Sequence, residues 1–124
     1  MTKIMLVEDD VALRDIYTSR FEAEGYEVAV ASDGEQALTV AVKEQPDLIV
    51  LDIMMPKISG FDVLDILRNT PETKDTKIIV MSALSQTMDI EKGKALGADD
   101  YLVKSQVTLS EVVERVKELL PKDK

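Results

Sequence analysis

Five short apolar runs, each followed by an amphipathic stretch, constrain this chain more than any other feature. The runs are Ile4–Val7, Val28–Ala31, Leu48–Leu51, Ile78–Met81 and Tyr101–Val103. Most are rich in β-branched residues or leucine, and four are nearly continuous rather than alternating. A continuous apolar run of this length suits a strand buried on both faces. Helical spacing fills the gaps. Leu13, Ile16, Tyr17 and Phe21 share one face, with Gly25 placed to end that helix. Asp33 and Gln36 resemble a capping box opening a second helix with Ala37, Leu38 and Ala41 inward. A third helix starts near Ser59 and carries Phe61, Leu64 and Leu67. In the last, Thr108 and Glu111 cap a stripe of Leu109, Val112, Val113, Val116 and Leu119–Leu120. The fourth helix, Thr87 to Leu96, is the poorest. Gly93 costs it about 1 kcal/mol against alanine, and its stripe of Met88, Ala95 and Leu96 is thin.

Five β-α units in succession predict an α/β, doubly wound five-stranded parallel sheet with helices on both faces. Right-handed crossovers leave few topologies, and the common five-stranded order is 2-1-3-4-5, the flavodoxin-like arrangement. The 124 residues fit one domain, 1–124, with no repeat or linker.

Composition narrows the chemistry. Cysteine and histidine are both absent. That excludes a disulfide framework, a thiol or imidazole nucleophile and the usual zinc sites. What remains is carboxylate, hydroxyl, lysine and hard-metal chemistry. The net charge of −9 opposes binding along a nucleic-acid backbone, so no direct nucleic-acid contact is expected. No apolar span is long enough for membrane insertion. The N-terminus runs straight into a strand without a signal peptide, and the expected location is cytoplasmic.

In such sheets ligands bind beyond the carboxyl ends of the strands, where the strand order reverses. Here that point lies between strands one and three. Glu8, Asp9 and Asp10 end the first, and Asp52 ends the third. Close carboxylates repel unless a cation intervenes. Mg²⁺, with Mn²⁺ as a substitute, suits one or two carboxylates completed by water and phosphate oxygens. Asp10 also fits as the cap of the following helix. Ser82 and Lys104 end strands four and five. Alone they read as a loop serine and a surface lysine. Together with the carboxylates they supply what a phosphoryl group needs.

The segment Leu48-Ile-Val-Leu-Asp52-Ile-Met-Met-Pro56-Lys-Ile-Ser-Gly60 resembles the phosphoacceptor stretch of two-component response regulator receiver domains. Val7-Glu8-Asp9-Asp10, Ser82-Ala83 and Gly97-Ala-Asp-Asp-Tyr101-Leu-Val-Lys104 match that family's other signatures in order and spacing. The resemblance implies that Asp52 is phosphorylated with self-catalysis, without the chain being an enzyme in its own right. It implies that Asp9, Asp52 and the Met54 backbone carbonyl ligate Mg²⁺, with Glu8 acting through water. Lys104 and Ser82 would then hold phosphoryl oxygens, and Tyr101 would be an aromatic switch. The implied donor is a sensor histidine kinase or a histidine phosphotransfer protein. The implied output is a surface of helix four, strand five and helix five, meeting a downstream protein or a second, phosphorylated copy. Tyr101 also fits as an ordinary strand residue at the sheet edge.

One departure stands out: Ser105 follows the lysine where the family usually has a proline after a cis bond. A cis bond before a non-proline residue costs about 2.5–4 kcal/mol, so a trans path is expected. Three rival readings stand beside this one: a flavodoxin-like FMN binder on the same fold, a phosphatase using an aspartyl nucleophile, and a receiver-like module that is never phosphorylated. The acidic run after strand one disfavours the first, and Met54, where such phosphatases carry a second aspartate, disfavours the second. The chain stops at Pro121-Lys-Asp-Lys124 with no output domain after it, and either a stand-alone receiver or part of a longer regulator fits.

Overall fold

The structure is a computed structural model, described here for residues 1–120. It contains five strands: β1 (Lys3–Val7), β2 (Glu27–Ala31), β3 (Leu48–Asp52), β4 (Lys77–Ser82) and β5 (Asp100–Val103). They alternate with α1 (Val11–Ala23), α2 (Gly34–Glu44), α3 (Gly60–Arg68), α4 (Thr87–Ala95) and α5 (Leu109–Leu119). All four strand pairs are parallel, in the order β2-β1-β3-β4-β5. The doubly wound topology expected from the sequence is therefore present.

Two apolar layers sandwich the sheet. Ile4, Leu6, Leu48, Val50, Ile79 and Met81 pack with Tyr17 and Phe21 of α1 and Val112, Val113 and Val116 of α5. Met5, Val7, Ile49, Leu51, Ile78 and Val80 face the opposite way, against α2 and α3. Alternate residues thus serve opposite faces, which is why the central strands read as unbroken apolar runs. Every residue of β3 is buried.

The caps explain where the helices begin. Asp10 accepts the Leu13 amide at 3.1 Å, and Ser59 accepts the Phe61 amide at 3.2 Å. Thr108 and Glu111 form a complete capping box. At α2 only half of the expected box exists. Asp33 accepts the Gln36 amide at 2.9 Å, but the Gln36 side chain turns to the Ser32 amide one residue further back.

Two stripes differ from expectation. In α1 the inward residues are Leu13, Tyr17 and Phe21, spaced by four, whereas Ile16 is exposed. The four-residue ridge is the one that meets the sheet, and Ile16 falls off its edge. In α4, Met88 is 77% exposed and Ala95 is also exposed. The inward residues are Ile90, Gly93 and Leu96, because the helix leans on the Tyr101 ring through its glycine. Residues 121–124, including Pro121, lie outside the described part.

Candidate functional site

Parallel register fixes the site. Val7, the last residue of β1, pairs with Leu51, so the chain turns out of β1 at Glu8 where β3 ends at Asp52. Asp52 in turn pairs with Met81, and Ser82 is the next residue along β4. Ser82 pairs with Val103, immediately before Lys104. Four strand ends thus deliver Glu8, Asp9, Asp52, Ser82 and Lys104 to one edge of the sheet.

The carboxylates converge. Glu8, Asp9 and Asp52 each present an oxygen within 4.8 Å of the others. Glu8 is 1% exposed and Asp52 3% exposed, while Asp9 faces solvent. Lys104 extends its ammonium into the cluster, 3.0 Å from Glu8 Oε1 and 3.3 Å from Asp52 Oδ2. Backbone donors complete the buried groups. The Asp10 amide donates to Glu8 Oε2 at 3.1 Å, and the Met54 amide donates to Asp52 Oδ1 at 3.2 Å. No buried side-chain nitrogen or oxygen among the described residues lacks a partner.

The pocket is short of positive charge. Burial pushes the Asp52 carboxyl above the usual carboxylate range, against the pull of Lys104 and the Met54 amide. Burial does the same to Glu8; its hydrogen bond with Lys104 opposes the rise and the charge of Asp52 adds to it. Burial also pulls on Lys104 in the opposite sense, but its bond to Glu8 and the charge of Asp52 prevail and raise its pKa. Among the described residues a single ammonium faces two buried carboxylates and a third at the surface. Oxygen-only donors, partly open to water and in excess over the cation, fit a hard divalent ion such as Mg²⁺.

Ser82 is fully buried, and its hydroxyl oxygen accepts the Leu84 amide at 3.1 Å. Tyr101 is 7% exposed and points inward, its hydroxyl donating to the Leu84 carbonyl at 2.9 Å. Residues 82, 84 and 101 are therefore joined through one loop segment. The Lys104–Ser105 peptide is trans, as expected, and Lys104–Gln106 form a single 3₁₀ turn.

Several contributors carry no distinctive mark in the sequence. Arg14, one turn into α1, donates to the Glu8 carbonyl at 3.0 Å and steadies the β1 exit. Lys57 adopts a left-handed backbone with φ 72° and extends its ammonium to Asp33 Oδ2 at 3.4 Å. That ion pair ties the loop carrying Met54 to the start of α2. Arg68, at the end of α3, donates to the carbonyls of Gly97, Lys74 and Thr76 and pairs with Asp99. Only the charge of these residues is visible in the sequence; most of their acceptors lie on other elements.

Fold and pocket together define a class: a doubly wound α/β domain with an oxygen-donor cation pocket at its topological switch point. The model of the response regulator receiver domain matches residues 4–117, and the chain belongs to that family of two-component signalling domains. It is 41% identical over 120 residues to the DNA-binding dual master transcriptional regulator RpaA of Synechocystis. That match covers 97% of this chain and 49% of RpaA, and this chain spans about half the length of the curated relatives it matches. Among solved structures, the chemotaxis protein CheY4 of Vibrio cholerae superposes with a TM-score of 0.90 at 30% identity, covering 97% of this chain and 99% of CheY4. TrrA of Thermotoga maritima, solved in complex with Mg²⁺-BeF, gives 0.85 at 38% identity, covering 97% of this chain and all of TrrA. Receiver domains bind Mg²⁺ at an acidic pocket and work with histidine kinases. Among the described residues no helix is long and apolar enough to cross a membrane.

Proposed function

We propose that residues 1–124 act as one receiver unit that takes a phosphoryl group onto Asp52 and signals through a changed surface. The observation that carries this reading is the convergence of Glu8, Asp9 and Asp52 around one point, with Lys104 bonded to both buried members. Asp9, Asp52 and the Met54 carbonyl are the proposed ligands of Mg²⁺ or Mn²⁺, with Glu8 acting through water. When bound, the ion neutralises charge on the phosphoryl oxygens and helps align them.

The chain's own groups do the rest. The phosphoryl donor is a phosphohistidine on a sensor kinase or phosphotransfer protein, since this chain contains no histidine. A carboxylate oxygen of Asp52 attacks phosphorus in line, forming an O–P bond as the P–N bond breaks. The electron pair of that bond leaves with the partner's imidazole. Lys104 then shifts from the carboxylate to a phosphoryl oxygen, and the Ser82 hydroxyl donates to another. The product is a mixed anhydride that water can cleave, so the mark is temporary.

The output runs through the 82–84 loop. A Ser82 hydroxyl recruited by phosphate and a Tyr101 hydroxyl held by the Leu84 carbonyl share one short segment. A change at one is felt at the other, which biases α4, β5 and α5 toward a second arrangement. That face would meet a downstream protein or a second phosphorylated copy. The relatives' DNA-binding role belongs to those longer proteins, and direct nucleic-acid contact is not part of this proposal.

Intact mass after incubation with acetyl phosphate and Mg²⁺ tests the reading. One phosphoryl increment is expected on the wild-type chain, with none on Asp52→Asn and none in excess chelator. Equal labelling of the Asp52→Asn chain would remove the assignment.

A further inference from the structure

We propose that Gly93 is a positioning residue for Tyr101: its bare Cα admits the ring beneath α4 and makes the inward side-chain position reachable. In taking Tyr101 as the switching residue this inference rests on the proposed function; the packing claim stands on geometry alone.

The approach is unusually close. A Cβ on residue 93 would lie 2.8 Å from Tyr101 Cδ2 and 3.1 Å from Cε2. Two carbons cannot approach so closely without movement. Gly93 is the only buried residue of α4, and it sits between Ile90 and Leu96 on the face turned to β5. Helix propensity alone disfavours glycine there. Its presence is explained by the ring, and not by any backbone requirement, because Gly93 does not have a positive φ.

Something must yield if a methyl group is added, and the two sides are not equally free. The C-terminal end of α4 is fastened. The Gly93 carbonyl accepts the Ala98 amide at 3.0 Å, the Gly97 carbonyl accepts Arg68 Nε at 2.9 Å, and Arg68 also grips Asp99. The Lys92 ammonium lies 4.6 Å above the Phe61 ring, which also borders the Cβ position of Gly93 at 3.8 Å. Tyr101, by contrast, is held inward at its tip by one hydrogen bond to Leu84. β5 is the edge strand, so rotation about the first side-chain torsion gives the ring an exit toward the open side of the sheet. The ring is therefore the part that moves.

This makes residue 93 a remote control on the phosphoryl site. It touches none of Glu8, Asp9, Asp52 or Lys104. If inward Tyr101 and an occupied Ser82 favour each other, a substitution that expels the ring must weaken phosphoryl-analogue binding by the same coupling factor.

The test compares the wild-type chain with Gly93→Ala, using ¹³C-labelled tyrosine to read the Tyr101 side-chain torsion by NMR in metal-free protein. The expected result is an inward ring in the wild type and a predominantly outward ring in Gly93→Ala, with the hydrogen bond from the Tyr101 hydroxyl to Leu84 broken. An inward ring in Gly93→Ala, with α4 displaced instead, would overturn the inference. If Gly93→Ala does not fold, the double variant Gly93→Ala/Tyr101→Ala decides. Recovery of the fold supports a ring clash, and continued failure refutes it. A second arm titrates Mg²⁺ with fluoroberyllate. Affinity about fivefold or more weaker in Gly93→Ala is expected. Unchanged affinity with the ring outward would refute the coupling of Tyr101 to Asp52, a failure separable from that of the packing claim.

Discussion

Lys104 carries an unusual load for a single side chain. Among the described residues its ammonium is the one cation bonded to both buried carboxylates, at 3.0 and 3.3 Å. Truncating it leaves Glu8 and Asp52 facing each other without compensation. Lys104→Met is expected to destabilise the metal-free fold by about 1–3 kcal/mol, the cost of unpaired buried polar groups, measured by urea denaturation in chelator. Asp52→Asn should do the reverse and raise the midpoint, since it removes one of two repelling charges. The pH dependence has a definite sign. Asp52 and Glu8 both titrate above their unfolded values, so the native state binds more protons than the unfolded chain. Their contribution is most favourable at acidic pH and declines as pH rises from the unfolded carboxylate range through the raised native values. In chelator, the wild-type chain should lose stability relative to Asp52→Asn across that window. A gap that narrows with rising pH would contradict the assigned electrostatics.

At the level of elements, the loop between β3 and α3 has a built seat. A Cβ on Gly34, the first residue of α2, would lie 2.7 Å from both Cβ and the carbonyl oxygen of Ile58. The ion pair from Lys57 to Asp33 closes the same contact from the side. Gly34→Ala must push the loop away, at a cost of about 1–3 kcal/mol by overpacking. Because Met54 rides on that loop, Mg²⁺ affinity by calorimetry should fall with it, while Ala37 and Ala41 keep α2 on the sheet. Full Mg²⁺ affinity in Gly34→Ala would show that the seat does not position the loop. The Arg68 hub predicts a different signature. Four acceptors depend on its planar fork, three of them backbone carbonyls. Arg68→Ala should cost about 2–3 kcal/mol, and Arg68→Lys should not restore it, because an ammonium cannot reproduce the fork. Thermal melts of the two variants decide the point.

What is legible in the sequence divides along the same line. Continuous runs such as Leu48–Asp52 announce a doubly covered strand, and from strand order alone the ends of β1 and β3 adjoin. Acidic residues at those ends are therefore readable as a cluster from the sequence itself. Capping at Asp10, Ser59 and Thr108 is readable too, since a cap is a local bond. The α4 stripe is not. Its inward face is set by a ring on another element, so in sequence Met88 resembles core and Gly93 resembles a defect. The same holds for Lys57 and Arg68, whose partners lie on other elements. Local signals and strand order survive translation into sequence; contacts between non-adjacent elements do not.

For the molecule as a whole, the proposed function makes the site and the output face opposite ends of one mechanical path. The sheet fixes the pocket at the carboxyl edge, and β4 and β5 connect it to α4 and α5 through Ser82, Leu84 and Tyr101. With an overall charge of −9, an added phosphoryl group would work against a repulsive background, and bound divalent ions would offset it. Mg²⁺ should accordingly raise the melting temperature of the wild-type chain; at ten times its dissociation constant the stabilisation is about 1.4 kcal/mol. The gain should be smaller in Asp52→Asn. The central claim, that the phosphoryl group becomes an anhydride of the Asp52 carboxylate, is tested most directly by borohydride trapping. An acyl phosphate is reduced to an alcohol, so phosphorylated chain treated with borohydride should yield homoserine at position 52 in peptide mass spectra, and nowhere else. Reduction at Glu8 or Asp9 instead, or a label that resists borohydride altogether, would contradict the account.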